Sequence, residues 1–232
     1  MAGRFRVVDT GVLEGRFNIA IDQAMIDEHQ AGRIPDTLRF MRFPPTALIG
    51  RHQALRQEVD VDYCHAHGIG TVRRITGGGA IYLDEGQLGW GLVFQRKALG
   101  ATCLAGLASD ICEAVAAGLR GLGVDARYRP RNDIEVDGRK ISGTGGFFDG
   151  DTLIYQGTVL VDMDPAAMVA ALRVPRAKLE KRQLDSAAQR VVTLRELLGP
   201  ATPDLPAIQQ ALLEAFAERF DLEWRNEPLT SA

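Results

Sequence analysis

Between residues 104 and 122 apolar side chains recur at steps of three or four: Leu104, Leu107, Ile111, Val115, Leu119 and Leu122. That period matches one face of an α-helix. It predicts a helix over Thr102–Leu122, capped by Thr102 and followed by Gly123 in the left-handed position past its end. The same period, with Phe17, Ile21, Ala24 and Met25 on one side, predicts a helix over residues 17–31. Ile208, Leu212, Phe216 and Phe220 predict another over Asp204–Phe220. Asp164-Pro165 reads as the cap and first residue of a helix, and Thr193-x-x-Glu196 as a capping box. Val61–His67 reads as a short helical turn closed by Gly68.

Shorter runs predict strands at Leu38–Phe43 and Thr46–Gly50, split by Pro44-Pro45, and at Thr71–Ile75, Ala80–Leu83 and Leu88–Phe94. Asp137-Gly138 between Ile134–Val136 and Lys140–Ser142 is a hairpin signal. A second such pair, Asp149-Gly150, leads into Thr152–Val161, a long run rich in β-branched residues. The order of elements predicts an α+β fold, a largely antiparallel or mixed β-sheet with flanking helices. Neither a repeat nor a linker divides the chain, so residues 1–232 read as a single domain.

Composition narrows the function. Hydrophobic residues make up 46% of the 232, enough for a sizeable core, and the net charge of −3 argues against a nucleic-acid partner. No apolar stretch approaches the ~18 residues of a membrane span. The opening MAGRFRVVDTG lacks the apolar core of a signal peptide. Cys64, Cys103 and Cys112 are odd in number and lack zinc-ligand spacing, and Cys103 and Cys112 read as small core residues. A reducing cytoplasm is the expected location. Cys64, His65 and His67 sit too close along one helix to share an ion, so they read as a solvated helix end. His29 reads as a cation at a helix C-terminus.

Three segments depart from ordinary packing. In Arg73-Arg74-Ile75-Thr76-Gly77-Gly78-Gly79-Ala80 the consecutive glycines suit backbone that approaches a ligand or turns through positive φ. Their free N–H groups can form an anion-binding concavity, with arginine charge beside it. The plain alternative is a flexible hairpin connection with solvated arginines. In Arg131 to Gly146, Lys140 follows a tight turn on a strand, with glycines at 143, 145 and 146 beyond it. Such a lysine either enters a pocket or faces solvent. In Tyr155-Gln156-Gly157-Thr158, a glycine inside a strand marks either a bulge or a close backbone approach.

In this order the segments resemble the catalytic domain of lipoate–protein ligases, in the superfamily of biotin ligases and octanoyltransferases. Arg73-Arg74-x-Thr-Gly-Gly-Gly-Ala-Ile-Tyr-x-Asp84 is similar to that family's Arg-Arg-x-Ser/Thr-Gly-Gly-Gly-Ala motif. Leu48-Ile49-Gly50-Arg51-His52-Gln53 is similar to its Ile-Gly-Arg-Asn-Gln segment. Asn132-Asp133 with Gly138-Arg139-Lys140-Ile141-Ser142-Gly143 is similar to its lysine motif, and Gly157-Thr158 and Gln189-Arg190-Val191 fit as well. The match runs from about residue 5 to residue 225.

The resemblance implies a class II synthetase or biotin–lipoate ligase-like catalytic domain. It implies activation of lipoate by ATP to lipoyl-AMP, with Mg²⁺, and transfer to a lysine of an acceptor domain. That acceptor would be the glycine-cleavage carrier, a 2-oxoacid dehydrogenase subunit or another lipoate-bearing protein. Lys140 would be catalytic. Arg74, Gly77, Gly78, Gly79, Ala80, Ile81 and Tyr82, with Asn132, Asp133 and Lys140, would hold ATP and lipoyl-AMP, and Asp133 the metal. Gly50, Arg51, Gln53, Arg73 and Gly77, with Ser142, Gly143, Gly157 and Thr158, would border lipoate. The chain departs from the family in Tyr82-Leu83-Asp84-Glu85-Gly86-Gln87, which replaces a Tyr/Phe-His-Asp-x-Gly-Asn pattern, and in His52 and Ala54, which replace asparagines. The small C-terminal accessory domain of many single-chain ligases has no counterpart here, which implies either a separate accessory protein or a chain that performs only the transfer half-reaction unaided. An octanoyltransferase is the alternative, but such enzymes use a thioester cysteine, and Tyr128–Asp133 before Lys140 contains none. A biotin ligase lacks support without a Gly-Arg-Gly-Arg loop. A non-catalytic acyl- or nucleotide-binding module is the remaining alternative.

Overall fold

Leu88, Trp90, Leu92 and Phe94 alternate with Gly89, Gly91 and Val93, and both sets are buried. A strand buried on both faces belongs in the middle of a covered sheet. The computed structural model, which describes residues 3–100, 103–173 and 190–229, places it there. In chain order the strands are β1 (Gly3–Val12), β2 (Thr37–Arg42), β3 (Thr46–Ile49), β4 (Gly70–Arg73), β5 (Ile81–Leu83) and β6 (Gln87–Gln95). They continue as β7 (Arg127–Arg129), β8 (Asp133–Val136), β9 (Arg139–Asp149), β10 (Thr152–Leu160) and β11 (Leu222–Asn226). The helices are α1 (Gly15–Gln30), α2 (Leu55–Glu58), α3 (Val61–Ala66), α4 (Leu104–Gly121), α5 (Pro165–Ala171), α6 (Leu194–Leu198) and α7 (Leu205–Phe220).

An eight-stranded sheet runs β11-β1-β2-β6-β10-β9-β8-β7, and a three-stranded sheet runs β4-β3-β5. The large sheet is parallel only at β11–β1–β2, and every later pairing is antiparallel. On one face α4 and α7 bring Leu107, Ile111, Leu119, Ile208, Leu212 and Phe216 onto Leu88, Trp90, Leu92 and Phe94. Each such fully buried side chain stabilises the fold by about 1.5–3 kcal/mol. On the other face α1 lays Met25 and Ile26 over Val93 and Ile154. This is the mixed α+β architecture expected from the pattern of elements.

Several local expectations change. The buried side of α1 is Gly15, Asn18, Asp22, Met25, Ile26 and His29, whereas Phe17 is 64% exposed. The apolar stripe is displaced because Asn18 and Asp22 turn inward to satisfy Arg39 of β2, which is fully buried. His29 does lie in the last turn, yet it is buried between Asp36 (2.9 Å) and the Thr152 hydroxyl (3.0 Å). Thr102 lies outside the described residues, and the α4 cap is the sulfur of Cys103, which accepts the Gly106 N–H. Cys103 is therefore exposed rather than a core residue, while Cys112 is buried as expected. Gly123 takes φ +87°, as a residue past a helix end should. Thr193 caps α6 by accepting from Glu196 N–H, but the Glu196 carboxylate turns away to Arg139, so the box is half made. Strands β1, β7 and β11 and the turn α2 have no counterpart among the expected elements, and β9 runs seven residues beyond Ser142 to Asp149.

Candidate active site

The floor of the main cavity follows from strand register. In the antiparallel rows across β6, β10 and β9, Gln156 stands between Gly91 and Gly145, and Thr158 between Gly89 and Gly143. Glycines flank both polar side chains, so the sheet surface itself drops away. The next row toward α1, Val93, Ile154 and Phe147, is filled and apolar. The result is a cavity of about 390 Å³, within the usual size for a small-molecule site. Gly157 is regularly paired on both sides, so it is not a bulge; a Cβ there would collide with the Trp90 ring.

Lys140 reaches this cavity through a shift of strand phase. Glu135 pairs with Lys140 and Ile134 with Ser142, which leaves Ile141 as an extra residue between them. Ile141 and Ser142 are both buried, so Lys140 and Gly143 come to share the cavity side. The Lys140 side chain lies across Gly143, where a Cβ would overlap its Nζ. Its Nζ is 2.7 Å from Asp133 Oδ1, and the side chain is 37% exposed. That oxygen is buried and receives no aligned hydrogen bond. The Lys140 backbone is pinned by Lys140 N–H to Arg190 C=O (2.8 Å) and Val192 N–H to Lys140 C=O (2.9 Å). Asn132 also lines the cavity, and its side-chain amide donates to Thr144 C=O at 2.9 Å.

The opposite wall is the loop from Thr76 to Ala80. Gly78 has φ +96°, which a side chain rarely tolerates. A Cβ on Gly50 would strike the Gly78 carbonyl, so the two glycines permit the close approach of their loops. Arg74 donates to Gly77 C=O (2.7 Å) and Gly79 C=O (2.8 Å), folding the loop around its guanidinium. Burial lowers its pKa, and among the described residues no carboxylate pairs with it. A half-buried cation without a counter-charge beside a cavity is suited to an anion. Ile81 and Tyr82 continue the wall, and burial pushes the Tyr82 phenol up to about 12.

Residues 50–53 form the loop's outer support rather than the cavity lining. Arg51 N–H donates to Thr76 C=O, and Gln53 accepts from Gly50 N–H. Arg73, one position from Arg74, points the other way and ties down the carbonyls of Gly50, Arg51 and Gln53. Ser142 faces the core behind β9, its hydroxyl without a hydrogen-bond partner among the described residues. Arg74, Gly77 to Tyr82, Asn132, Lys140, Gly143, Gly157 and Thr158 do line one cavity, and Asp133 touches it through Lys140. Gln189 lies outside the described residues.

Sequence reasoning missed one component. Asp22 lines the cavity and accepts from Arg39 (2.8 Å) and from Gln156 (2.6 Å). Burial raises the Asp22 pKa, against the pull of the Arg39 guanidinium. Nothing in the local sequence marks this pair, since Gln156 lies 134 residues from Asp22. None of the three cysteines lines the cavity. Cys112 is buried behind β9 against the Thr144 and Tyr155 hydroxyls, and burial raises its pKa. No described helix is long and apolar enough to cross a membrane.

Comparison with known proteins finds both lipoate ligases and octanoyltransferases. Octanoyltransferase LipM of Kyrpidia tusciae is 31% identical across 98% of this chain and 91% of its own. Lipoate-protein ligase A subunit 1 of Thermoplasma acidophilum is 30% identical across 99% of this chain and 88% of its own. Among solved structures, a bipartite lipoate protein ligase from T. acidophilum, studied with its E2 lipoyl domain, superposes with a TM-score of 0.87 at 30% identity. It covers 99% of this chain and 88% of that one. A lipoate-protein ligase A bound with ATP superposes with a TM-score of 0.84 at 28% identity, over 99% of this chain and 90% of that one. The family model of the lipoyl protein ligase A/B catalytic domain matches residues 14–217, and the chain belongs to that family of enzymes.

Proposed function

We propose that this chain is the catalytic subunit of an ATP-dependent lipoate–protein ligase that works with a separate accessory protein. The observation that carries the reading is the Lys140 ammonium, the one lysine among the described residues lining a glycine-walled cavity that no cysteine lines. In the first step a lipoate carboxylate oxygen bonds to the α-phosphorus of ATP, and the bond to pyrophosphate breaks. In the second, the amine of an acceptor lysine attacks the acyl carbon, the C–O bond to AMP breaks, and the amine proton leaves to solvent. Both steps gather negative charge around one carbon and one phosphorus. A fixed ammonium beside them stabilises the transition state more than the separated reactants.

Under this reading the Gly77–Gly79 backbone and Arg74 cradle phosphate, and Asn132 borders the nucleotide. Ile81 and Tyr82 face the adenine. The furrow over Gly89 and Gly145, beside the Lys140 amine that lies over Gly143, takes the acyl chain, with Gly157 and Thr158 in its floor. Gly50, Arg51, Gln53 and Arg73 hold the loop in shape rather than touch the acid, and Ser142 backs the strand. Asp133, with its poorly satisfied oxygen, suits one carboxylate ligand of a Mg²⁺ carried in by the nucleotide, as such ions usually take one or two carboxylates plus phosphates. When bound, the ion would neutralise phosphate charge. Similarity across 88% of one subunit of a bipartite ligase supports the accessory protein, and that ligase's E2 lipoyl domain supports an acceptor of the same kind.

The second reading, acyl transfer from a carrier protein, is favoured by the 31% identity to an octanoyltransferase. It needs an activated thiol beside the lysine. A variant with Cys64, Cys103 and Cys112 all changed to serine separates the two. The ligase reading expects lipoyl transfer from lipoyl-AMP to an acceptor lysine within about threefold of the unsubstituted rate. Loss of transfer from a variant that still melts cooperatively would favour the thioester route.

A second expectation concerns Gly143→Ala. Its φ is not in the left-handed region, and the colliding atom is the tip of a flexible side chain. The melting temperature should therefore barely move, while the displaced Lys140 amine lowers the transfer rate by about a hundredfold. Thermal melts and single-turnover transfer on the same sample check both halves.

A further inference from the structure

One face of the β7–β8–β9 edge carries four charges of alternating sign. Arg129 Nη1 lies 2.7 Å from Glu135, Arg129 Nη2 lies 3.8 Å from Asp133, and Lys140 Nζ lies 2.7 Å from Asp133. Ile134 and Val136 turn into the core, so Asp133 and Glu135 both project to the side of Lys140. Strand register sets Glu135, not Asp133, directly opposite Lys140. Side chains so paired are neighbours, yet the Lys140 amine passes Glu135 and lies over Gly143. The Glu135 carboxylate is instead held by Arg129.

We infer that Arg129 is a positioning residue that sequesters Glu135, so that the Lys140 amine has one carboxylate partner and stays over the cavity. This rests on the proposed role of Lys140. Glu135, Arg129, Asp133 and Lys140 sum to zero charge. Removing Arg129 leaves two carboxylates around one ammonium, and Glu135 then draws the amine toward β8, away from the acyl-phosphate. Neutralising Glu135 as well returns the group to zero. Arg129 itself is 59% exposed, so the effect should shrink as salt is raised.

The test is single-turnover transfer from lipoyl-AMP to a lipoyl-domain lysine at low ionic strength. Arg129→Ala should lower the rate by about tenfold, with KM for lipoyl-AMP changed less than about twofold. Arg129→Lys should keep most of the rate. The double variant Arg129→Ala/Glu135→Gln should recover it, which a merely structural loss would not allow. The inference is overturned if Arg129→Ala is as fast as the unsubstituted chain, or if the double variant is as slow as the single one. If Lys140→Ala matches the unsubstituted chain, the functional reading fails and takes this one with it. A failed recovery alone removes only the role of Arg129.

Discussion

Lys140→Ala leaves a folded protein and slows acyl transfer by roughly two to three orders of magnitude, about 3–4 kcal/mol of transition-state stabilisation. The fold survives because the side chain is partly exposed and packs over a glycine, while Asp133 keeps Arg129 nearby. The rate does not survive, because among the described residues no other ammonium lines the cavity and Arg74 is committed to the Gly77 and Gly79 carbonyls. Lys140→Arg should recover little. A planar guanidinium presents a rigid fork of donors rather than a compact point charge, so it does not reproduce the ammonium over Gly143. Stopped assays read by mass spectrometry, with melting curves on the same samples, check the expectation.

Arg39→Met should destabilise the fold by about 3–5 kcal/mol, the usual consequence of stripping one partner from a buried ion pair. The Arg39 guanidinium, fully buried, donates to Thr10, Asn18 and Asp22, so it joins β1, α1 and β2. Without it the Asp22 carboxylate is left in an apolar wall with only Gln156 for company. Burial already raises its pKa, so Asp22 is then held as the neutral acid. A second change, Asp22→Leu, should return most of the lost stability, because the desolvated charge is gone. Urea unfolding of the three proteins measures this directly. No recovery in the double variant would mean that Arg39 acts through its other bonds.

The sequence pattern made some of this visible and hid the rest, for physical reasons that differ by residue. The α4 stripe is legible because Leu107, Ile111, Val115 and Leu119 face one core over many turns. The triple glycine is legible because Gly78 must take positive φ. The length of β9 is not, since Gly143, Gly145 and Gly146 have low strand propensity; Gly143 and Gly145 leave bare backbone under the cavity, and Gly146 lets β9 approach Ile154 and Tyr155 of β10. The edge strand β11 pairs with β1, which lies more than two hundred positions earlier in the sequence, a pairing no local window contains. Arg73 and Arg74 read alike in sequence, but Arg73 ends β4 and turns to the 50–53 loop while Arg74, just past it, folds into the triple-glycine loop, so only one meets the cavity. Asp22 and Asn18 resemble the solvent side of an amphipathic helix until Arg39 is seen beneath them.

Supplying preformed lipoyl-AMP removes the adenylation step and any need for an accessory protein, and so isolates the place of Lys140. With an acceptor lipoyl domain present, the intact chain should add one lipoyl group to a single lysine, without ATP and without a thioester on the enzyme, and Lys140→Ala should not. Equal transfer by both proteins, or transfer only from an acyl carrier protein through an enzyme-bound thioester, would contradict it.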